Sequence, residues 1–319
     1  MLKPLKLKSK SNQNLTLFDL NPLVKWPEGL DRNQTLSGLN PLVKWPGGKR
    51  RVAHRFADYY DRQLRYVSLF AGGLGDLMKI RPERVLANDN WKPIVNLYNQ
   101  VKIGLTPHFL MVSTPSLYNE KRNEFNLRAI AQCEQSAETA CLLYFLLHTG
   151  YNGLVRCRRD GAFNVSHGKP DKKKWHLYAE DFSDYRTYLT DFSDYQNAFA
   201  NWEFTAGDFE SVPIAQDDFI YADPPYDPIS ATGDTFSYAA PFTWGDQVRL
   251  AEFLAEKVNP VVASNYATPR ILELYSDLGF TITTFENKVY ISANGADRAK
   301  PVIEMLAFKN IDIGGDLNT

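Results

Sequence analysis

The alternation of short apolar runs with helical stretches constrains the fold of this chain more than any other feature. Before residue 104, RYVSLF and RVLAND have the length and composition of buried strands, and WKPIVNLYNQVK has the pattern of a helix. After residue 200, FIYAD, PVVASN, FTITTF, KVYISA and VIEMLAF predict strands, and TWGDQVRLAEFLAEKV and TPRILELYSDLG predict helices. This order favours a doubly wound α/β sheet that residues 104–200 interrupt.

The length of 319 residues exceeds that of most single domains, and the interruption indicates where the chain divides. We expect a polar N-terminal extension over residues 1–38, a sheet domain over 39–103 plus 201–312, and an inserted domain over 104–200. NPLVKWP occurs twice, at Asn21–Pro27 and Asn40–Pro46, and only the second copy is followed by GGK. We therefore assign the functional role to the second copy.

The composition, 44% hydrophobic and 23% charged, is typical of a soluble globular protein. The three cysteines share no CxxC spacing and the five histidines form no ligand pattern, so we expect no disulfide framework, no metal and a reducing cytoplasm. The most apolar stretch, ACLLYFLLHTG, is too short to span a membrane and predicts a buried helix.

Basic residues are clustered although the net charge is only −1. The segment Arg156–Lys174 holds seven basic residues against two acidic ones, and a second cluster lies between Lys44 and Arg55. Local patches, rather than total charge, decide phosphate binding, so these clusters are candidate contacts for phosphate groups. A solvated polar surface produces the same pattern.

The tetrapeptide Asp223-Pro224-Pro225-Tyr226 directly follows the predicted strand FIYAD. In doubly wound sheets, ligands bind outside the carboxyl ends of the strands, and two prolines fix the backbone direction there. An aromatic amine is a poor nucleophile because its lone pair is delocalised into the ring. If the Asp223 carboxylate accepts one N–H bond of such an amine and a carbonyl of the proline segment accepts the other, the lone pair of the nitrogen becomes available. Tyr226 can then stack on the aromatic ring that carries the amine. A rigid strand-to-loop turn is the alternative interpretation.

A glycine-rich turn, within SLFAGGLGD from Ser68 to Asp76, follows the first predicted strand. Such a turn lets a ligand approach the backbone closely, although a tight strand–helix connection has the same sequence. Asp89 ends the next strand, where an acid binds ribose hydroxyls in dinucleotide folds. The spacing from Gly75 to Asp89 is shorter than in those folds and argues against a nicotinamide cofactor.

The segment TGYNGLVRCRRDGAF combines the aromatic Tyr151, the amide Asn152, the apolar Leu154 and the basic Arg156. An arginine reads guanine in the major groove, and an apolar side chain contacts the thymine methyl group. An aromatic side chain fills the space of a base that has left the stack. Each residue alone also fits a basic surface loop, whereas the set favours DNA recognition.

Taken in order, these segments resemble the Dam-type (alpha-class, D12) DNA adenine-N6 methyltransferases. The shared order is KWPGGK, FAGG, Asp89, YNGLVR, GDF and DPPY, followed by ASNY and ISANGADRAK. Several motifs in one order are more specific than any single motif. The resemblance implies an α/β fold with a Rossmann-like methyltransferase sheet, doubly wound with an antiparallel closing strand, and an inserted, mainly helical target-recognition domain.

The resemblance also implies transfer of a methyl group, without a metal, from S-adenosyl-L-methionine to an adenine flipped out of duplex DNA in a GATC-type site. The residues it assigns to the cofactor are Trp45, Lys49, Phe70, Gly72, Asp89, Asp208 and Asp223. Those it assigns to catalysis on the flipped adenine are Asp223, Pro224, Pro225 and Tyr226. Those it assigns to DNA are Lys44, Tyr151, Asn152, Leu154, Arg156, Ser230, Asn294 and Gly295.

Two alternatives remain at the level of sequence. A cytosine-N4 DNA methyltransferase shares the amine chemistry but more often has serine at the position of Asp223. A non-catalytic DNA-binding protein on the same fold predicts loss of DPPY or of the glycine turn. We expect a cytoplasmic, nucleoid-associated enzyme, and the sequence leaves open whether a cognate restriction endonuclease accompanies it.

Overall fold

The computed structural model describes residues 39–109, 111, 113–130, 135–158, 160–168, 192–228, 241–288 and 301–314. Three residues assigned above to DNA, Ser230, Asn294 and Gly295, lie outside the described residues. So do the first NPLVKWP copy and most of the predicted strand KVYISA.

A seven-stranded sheet in the order β3-β2-β1-β4-β5-β7-β6 forms the centre of the described structure. Strands β3, β2, β1, β4 and β5 are parallel, while β7 runs antiparallel between β5 and β6. The predicted sheet with an antiparallel closing strand is therefore confirmed. The strands are β1 (Arg65–Ser68), β2 (Val85–Asp89), β3 (Trp202–Ala206), β4 (Asp218–Ala222), β5 (Val261–Tyr266), β6 (Thr281–Lys288) and β7 (Pro301–Lys309).

Seven α-helices connect and cover these strands in the described part of the chain. The helices predicted from WKPIVNLYNQVK, ACLLYFLLHTG, TWGDQVRLAEFLAEKV and TPRILELYSDLG are all present. The helices are α1 (Leu77–Ile80), α2 (Lys92–Lys102), α3 (Pro115–Ile130), α4 (Ala137–Thr149), α5 (Ser193–Ala198), α6 (Trp244–Ala255) and α7 (Pro269–Asp277). None of them has both the length and the apolar character that crossing a bilayer requires.

The two faces of the sheet belong to two separate hydrophobic clusters because side chains alternate along a strand. In β1, Tyr66 points into one cluster and Val67 into the other. In β4, Tyr221 joins Tyr66, whereas Ile220 joins Val67. Both faces are therefore covered, as the near-continuous apolar runs of the parallel strands predict.

The inserted segment packs onto the face that carries Tyr66. Phe125 on α3, Phe145 on α4 and Phe199 after α5 are all buried in the cluster that contains Tyr66. Helix α4 is apolar on nearly all sides, and Ser136 caps its beginning by accepting from the Thr139 amide. The division of the chain into a catalytic and a recognition domain stays a prediction, since these parts share one core.

Strand β3 was not among the predicted elements. Its sequence, WEFTA, alternates buried and exposed residues, with Trp202 and Phe204 inside and Glu203 outside. Because β3 is an edge strand, only one side of it is apolar, and five residues are too few for a clear period-2 signal. Its position is secured by Trp202, whose Nε1 donates to the Pro82 carbonyl at 3.1 Å.

The connections place the ligand crevice at β1 and β4. Strand β1 pairs with β2 on one side and with β4 on the other. After β1 the chain continues to β2, towards one edge of the sheet, and after β4 it continues to β5, towards the other edge. A crevice opens at such a switch point, outside the carboxyl ends of the strands. The glycine turn after Ser68 and the DPPY segment after Ala222 both begin there.

Replacing Thr243 by alanine tests the boundary of α6. Thr243 and Asp246 form a reciprocal capping box, in which the Thr243 amide donates to Asp246 Oδ2 at 2.8 Å. Thr243→Ala should lower the free energy of unfolding by about 1 kcal/mol, since amides at the helix start lose their acceptor. Chemical denaturation measures this. Glu252→Ala, on the exposed side of the same helix, is the matched control, and equal stability of both variants would contradict the capping role.

Candidate active site

The Asp223 carboxylate lies immediately beyond the carboxyl end of β4. The register pairs Ala222 of β4 with Ala263 of β5, which brings the next residue of β5, Ser264, beside Asp223. Ser264 Oγ donates to Asp223 Oδ1 at 2.7 Å and contacts the Tyr221 hydroxyl at 3.1 Å. The strand pairing therefore sets the orientation of the carboxylate before any ligand binds.

A second carboxylate approaches from β7 and shares a cation with the first. Lys49 is 7% exposed, and its Nζ lies 3.5 Å from Asp223 Oδ1 and 3.6 Å from Glu304 Oε2. Glu304 is equally enclosed, at 4% exposure, and its Oε1 accepts from Asn287 at 2.7 Å. Lys49 thus links the KWPGGK segment to the ends of two strands.

Tyr226, the last residue of DPPY, is held on its edge and on its face. Its hydroxyl donates to Glu304 Oε2 at 3.3 Å, and Lys49 Nζ lies 4.1 Å from the ring centroid. Tyr266 packs edge-on against the ring, with centroids 4.8 Å apart. Burial and the charges of Asp223 and Glu304 raise the pKa of Tyr226 well above its usual value, so the phenol remains a hydrogen-bond donor.

The diproline corner is supported from α6 and β5. Gln247, which is buried on α6, donates to the Pro225 carbonyl at 2.8 Å. Asn265 in turn donates to Gln247 Oε1 at 3.0 Å and accepts from the Asp227 amide at 3.0 Å. These amide contacts on both sides of Tyr226 fix the backbone direction beyond what the prolines alone impose.

An ion pair between the buried Asp227 and the half-exposed Arg270 follows the DPPY segment. The Asp227 side chain is 3% exposed and accepts from Thr268 Oγ1 at 2.9 Å and from Arg270 Nε at 2.8 Å. Arg270 also contacts Asp227 Oδ1 and lies over the Trp244 ring. Two polar partners compensate the desolvation of this carboxylate, so the segment is anchored to the start of α7.

The acid–base properties of the crevice are perturbed mainly by burial. Burial raises the pKa of Asp223, while the charge of Lys49 and the hydrogen bond from Ser264 lower it. A further acid, Asp76, follows the glycine turn and accepts from the Tyr66 hydroxyl at 3.0 Å. Burial, followed by the nearby charge of Asp223, raises the pKa of Asp76 to about 7.

The glycine turn and Asp89 form a second polar surface beside this cluster. Asp89 Oδ2 accepts from the Gly72 amide at 2.9 Å, and Oδ1 accepts from the Trp91 amide at 2.8 Å. Gly72 has a φ of +45°, in the left-handed region that favours glycine. The Tyr98 hydroxyl donates to the Gly72 carbonyl. The turn is thus joined to the end of β2 and to α2.

The KWPGGK segment packs directly on the glycine turn. A Cβ at Gly73 would lie 2.4 Å from the Trp45 Cβ, and one at Gly75 would lie 2.9 Å from the Lys49 amide nitrogen. Because Gly73 and Gly75 have no side chains, the KWPGGK segment can approach the end of β1. We call this segment the KWPGGK arm. The second NPLVKWP copy, Asn40–Pro46, therefore lies beside the turn.

Phe70 and Asp208 form the outer side of the crevice. Phe70 packs on Phe209, with ring centroids 5.7 Å apart. Arg249 donates to both oxygens of Asp208 at 2.9 Å and lies over the Phe209 ring. The hydrogen bonds from Arg249 lower the pKa of Asp208, which keeps this carboxylate ionised.

The residues assigned to DNA that the structure describes lie on a separate surface next to α4. Tyr151 is 39% exposed and opens the single turn Tyr151–Gly153, and Leu154 is half-buried. Arg156 is exposed and donates across the hairpin to Asn164 Oδ1 at 2.7 Å. Lys44 passes beneath this turn, since a Cβ at Gly153 would lie 2.9 Å from the Lys44 Cβ.

The partners of DPPY come from distant parts of the chain and were not predicted from the sequence. Gln247 and Asp76 were not singled out, and Ser264 was noted only as part of ASNY. Glu304 had a usable signal, because it is the one acid within the apolar run VIEMLAF, and a charge at a buried strand position needs a partner. No comparable signal marks Gln247 on an amphipathic helix.

Replacing Gly73 by alanine tests the contact between Trp45 and the turn. The added methyl group overlaps the Trp45 side chain, so Gly73→Ala should lower stability by about 1–3 kcal/mol and change tryptophan fluorescence. Gly48→Ala is the matched control, since its Cβ would meet only the Trp45 carbonyl at an ordinary 3.5 Å. A thermal unfolding midpoint for Gly73→Ala equal to that of the control would show that the contact does not exist.

Within the described residues, no group of three or more His, Cys, Asp or Glu side chains is arranged to hold a metal ion. Half-buried acids at the ends of two parallel strands, Asp89 and Asp223, lie beside a glycine turn and suit a ligand that carries amino and hydroxyl groups.

Comparison with known proteins identifies the relatives of this chain. A type II methyltransferase, M1.LlaDCHI from Lactococcus lactis subsp. cremoris, is 30% identical over 244 residues, covering 72% of this chain and 81% of that protein. The DNA adenine methylase of Escherichia coli (strain K12) is 32% identical over 237 residues, covering 70% and 78%. The DNA N-6-adenine-methyltransferase of Escherichia phage P1 is 28% identical over 267 residues, and the chain spans only 33% of its length.

The family match agrees with these relatives. The model of the D12 class N6 adenine-specific DNA methyltransferase family matches residues 45–291, from Trp45 of KWPGGK to Ile291. This range contains the glycine turn, Asp89, the hairpin around Arg156 and DPPY. The chain belongs to the D12 class N6 adenine-specific DNA methyltransferases.

Proposed function

We propose that this adenine-specific DNA methyltransferase uses S-adenosyl-L-methionine to methylate N6 of an adenine flipped out of duplex DNA within a GATC-type site. The observation that carries the proposal is the Asp223 carboxylate, oriented by Ser264 at the switch point of the sheet and followed by a rigid diproline corner. A base amine has to leave the duplex to reach such an enclosed group.

The residues beside the glycine turn suit the cofactor. We assign Asp89 to the ribose hydroxyls, Phe70 to the adenine ring of the cofactor and Asp208 to its polar edge. Trp45, Lys49 and Gly72 line the methionine side, and Asp223 lies where the two ligands meet. S-adenosyl-L-methionine supplies an activated methyl group on a sulfonium. The acidic surroundings of that side, with Asp223, Asp76 and Glu304, suit a cationic ligand.

The DPPY segment suits the flipped adenine. Asp223 and the Pro224 carbonyl accept the two amine N–H bonds, which frees the N6 lone pair for attack. Pro225 keeps that carbonyl in place and is itself held by Gln247. Tyr226 stacks on the base while its hydroxyl is retained by Glu304. Positioning and preorganised charge supply most of the rate in such a site.

Residues 104–200 act as the target-recognition domain in this proposal. Tyr151 and Asn152 fill the gap that the flipped base leaves, and Leu154 and Arg156 read bases in the major groove. Arg156 is supported for this role by its exposure and by Asn164, which orients the guanidinium. Lys44 contacts the first base pair, and Ser230, Asn294 and Gly295 contact the backbone near the target.

Because the substrate is DNA, we expect the enzyme in the cytoplasm, associated with the nucleoid. A cognate restriction endonuclease is a further proposed partner, since the relative M1.LlaDCHI is named as a type II methyltransferase. Sequencing the modified bases in DNA from methylation-deficient cells that express the protein tests base, atom and site together. We expect N6-methyladenine in one short sequence, and unmodified adenines in all GATC sites would contradict the proposed specificity.

Replacing Asp223 by alanine tests the catalytic assignment. Without the carboxylate the amine keeps a delocalised lone pair, so turnover should fall about 100-fold or more while DNA binding remains intact. Methyl transfer from labelled S-adenosyl-L-methionine and a DNA-binding titration measure the two effects. Asp217→Ala is the matched control because Asp217 precedes the same strand and its side chain is 63% exposed. Near-normal turnover by Asp223→Ala would refute the role.

Replacing Arg156 by alanine tests base reading. Loss of the guanidinium should relax sequence preference at one position by about 1–3 kcal/mol of discrimination, while leaving the chemical step unchanged. Methylation of a set of single-substituted duplexes measures the preference. Arg158→Ala is the control, since Arg158 lies in the same hairpin and pairs with Asp160 at 2.8 Å. Identical preferences in both variants would exclude Arg156 as a reader.

A further inference from the structure

Glu304 is a charged residue on a face of β7 that is otherwise apolar. Side chains alternate along the strand, so Glu304 lies on the same side as Leu306 and Phe308, which belong to the core cluster beneath the inserted segment. Burying a carboxylate there is unfavourable, and a protein with an apolar residue of similar size at such a position is often at least as stable. Fold stability therefore does not explain the presence of this acid.

Both oxygens of Glu304 are used by groups of the active site or by the adjacent strand. Oε1 accepts from Asn287 of β6 at 2.7 Å. Oε2 accepts from the Tyr226 hydroxyl at 3.3 Å and lies 3.6 Å from Lys49 Nζ. Glu304 is therefore connected to the DPPY segment and to the KWPGGK arm at the same time.

Lys49 lies between the carboxylates of Asp223 and Glu304. Its Nζ lies 3.5 Å from Asp223 Oδ1 and 3.6 Å from Glu304 Oε2, whereas an N–H bond from an ammonium to a carboxylate is usually about 2.7–2.9 Å long. The ammonium is thus balanced between two carboxylates and bound closely to neither. The ring of Tyr226, 4.1 Å away, supports it from a third direction.

We propose that Glu304 is a positioning residue that holds Lys49 away from the Asp223 carboxylate and thereby keeps an oxygen of Asp223 available to the amine of the target base. Without the charge of Glu304, the ammonium moves onto Asp223 and forms a close ion pair. That pair competes with the amine for the carboxylate. The inference rests on the proposed function, since it assigns a contributor to the same amine site.

The groups that face Asp223 determine the pH dependence that this arrangement produces. Among the described residues they are the cation Lys49, the acids Glu304 and Asp76, the phenols Tyr221 and Tyr226, and the Ser264 hydroxyl. Burial raises the pKa of Asp223, Lys49 lowers it, and Glu304 raises it. Neutralising Glu304 removes a raising charge and brings Lys49 closer, so both changes lower the pKa of Asp223.

The test is the pH profile of Glu304→Gln, a nearly isosteric change that removes the charge and replaces one of the two acceptor oxygens with an amide donor. Steady-state methylation of an unmethylated GATC duplex with S-adenosyl-L-methionine gives kcat and KM at each pH. We expect kcat to fall about tenfold, with KM for DNA unchanged. Activity requires ionised Asp223 and falls as pH drops through its pKa, so the acid limb of kcat/KM should move to lower pH in the variant.

Glu286→Gln is the matched control, because Glu286 is an exposed acid on β6 opposite Ile303 of β7. The control should match the wild-type protein in rate and profile. The inference is overturned if Glu304→Gln retains wild-type kcat or an unmoved acid limb while the wild-type enzyme methylates adenine. If the wild-type protein forms no N6-methyladenine, the proposed function is overturned together with the inference. Wild-type activity therefore distinguishes a failure of the inference alone from a failure of the proposed function.

A second variant keeps the test decisive if Glu304→Gln does not fold. Asn287→Ala leaves Glu304 charged but removes the donor to Oε1, so Lys49 is drawn towards Glu304 and away from Asp223. The lowering influence of Lys49 on the pKa of Asp223 weakens, and the acid limb should move to higher pH. A limb that stays in place or moves to lower pH contradicts the positioning role.

Discussion

The Asp223 side chain is only 21% exposed, and enclosing an ionised carboxylate is unfavourable unless partners compensate its charge. This requirement accounts for the arrangement around it. Ser264 donates to it from β5, Lys49 approaches from the KWPGGK arm, and Glu304 shares that lysine from β7. The two strands and the arm are therefore joined at one charged centre. The contacts at this centre set the orientation of the DPPY segment.

The sheet could be predicted to a large extent because each of its main signals is local. Apolar runs such as FIYAD mark buried parallel strands, and Thr243 before TWGDQVRLAEFLAEKV marks the start of α6. Strand β3 was not predicted because only one side of an edge strand is apolar. The register was also out of reach, since it depends on pairings such as Ala222 with Ala263 that no local pattern encodes.

The candidate site could be predicted only where its chemistry is contained in a short motif. Asp223 and Tyr226 are adjacent in DPPY, whereas the residues that position them come from distant elements. Ser264 is 41 positions from Asp223, and Glu304 is 78 positions from Tyr226. Such contacts arise from the order of strands in the sheet. The residues assigned to cofactor and DNA stay predictions, although the glycine turn and the hairpin are positioned on surfaces that suit them.

The central claim is that the pocket at Asp223 delivers a methyl group to N6 of adenine and to no other atom of DNA. The most direct measurement is mass spectrometry of nucleosides from duplex DNA treated with purified protein and isotopically labelled S-adenosyl-L-methionine. We expect labelled N6-methyldeoxyadenosine to be the only methylated nucleoside. Labelled N4-methyldeoxycytidine, or DNA without any label, would contradict it.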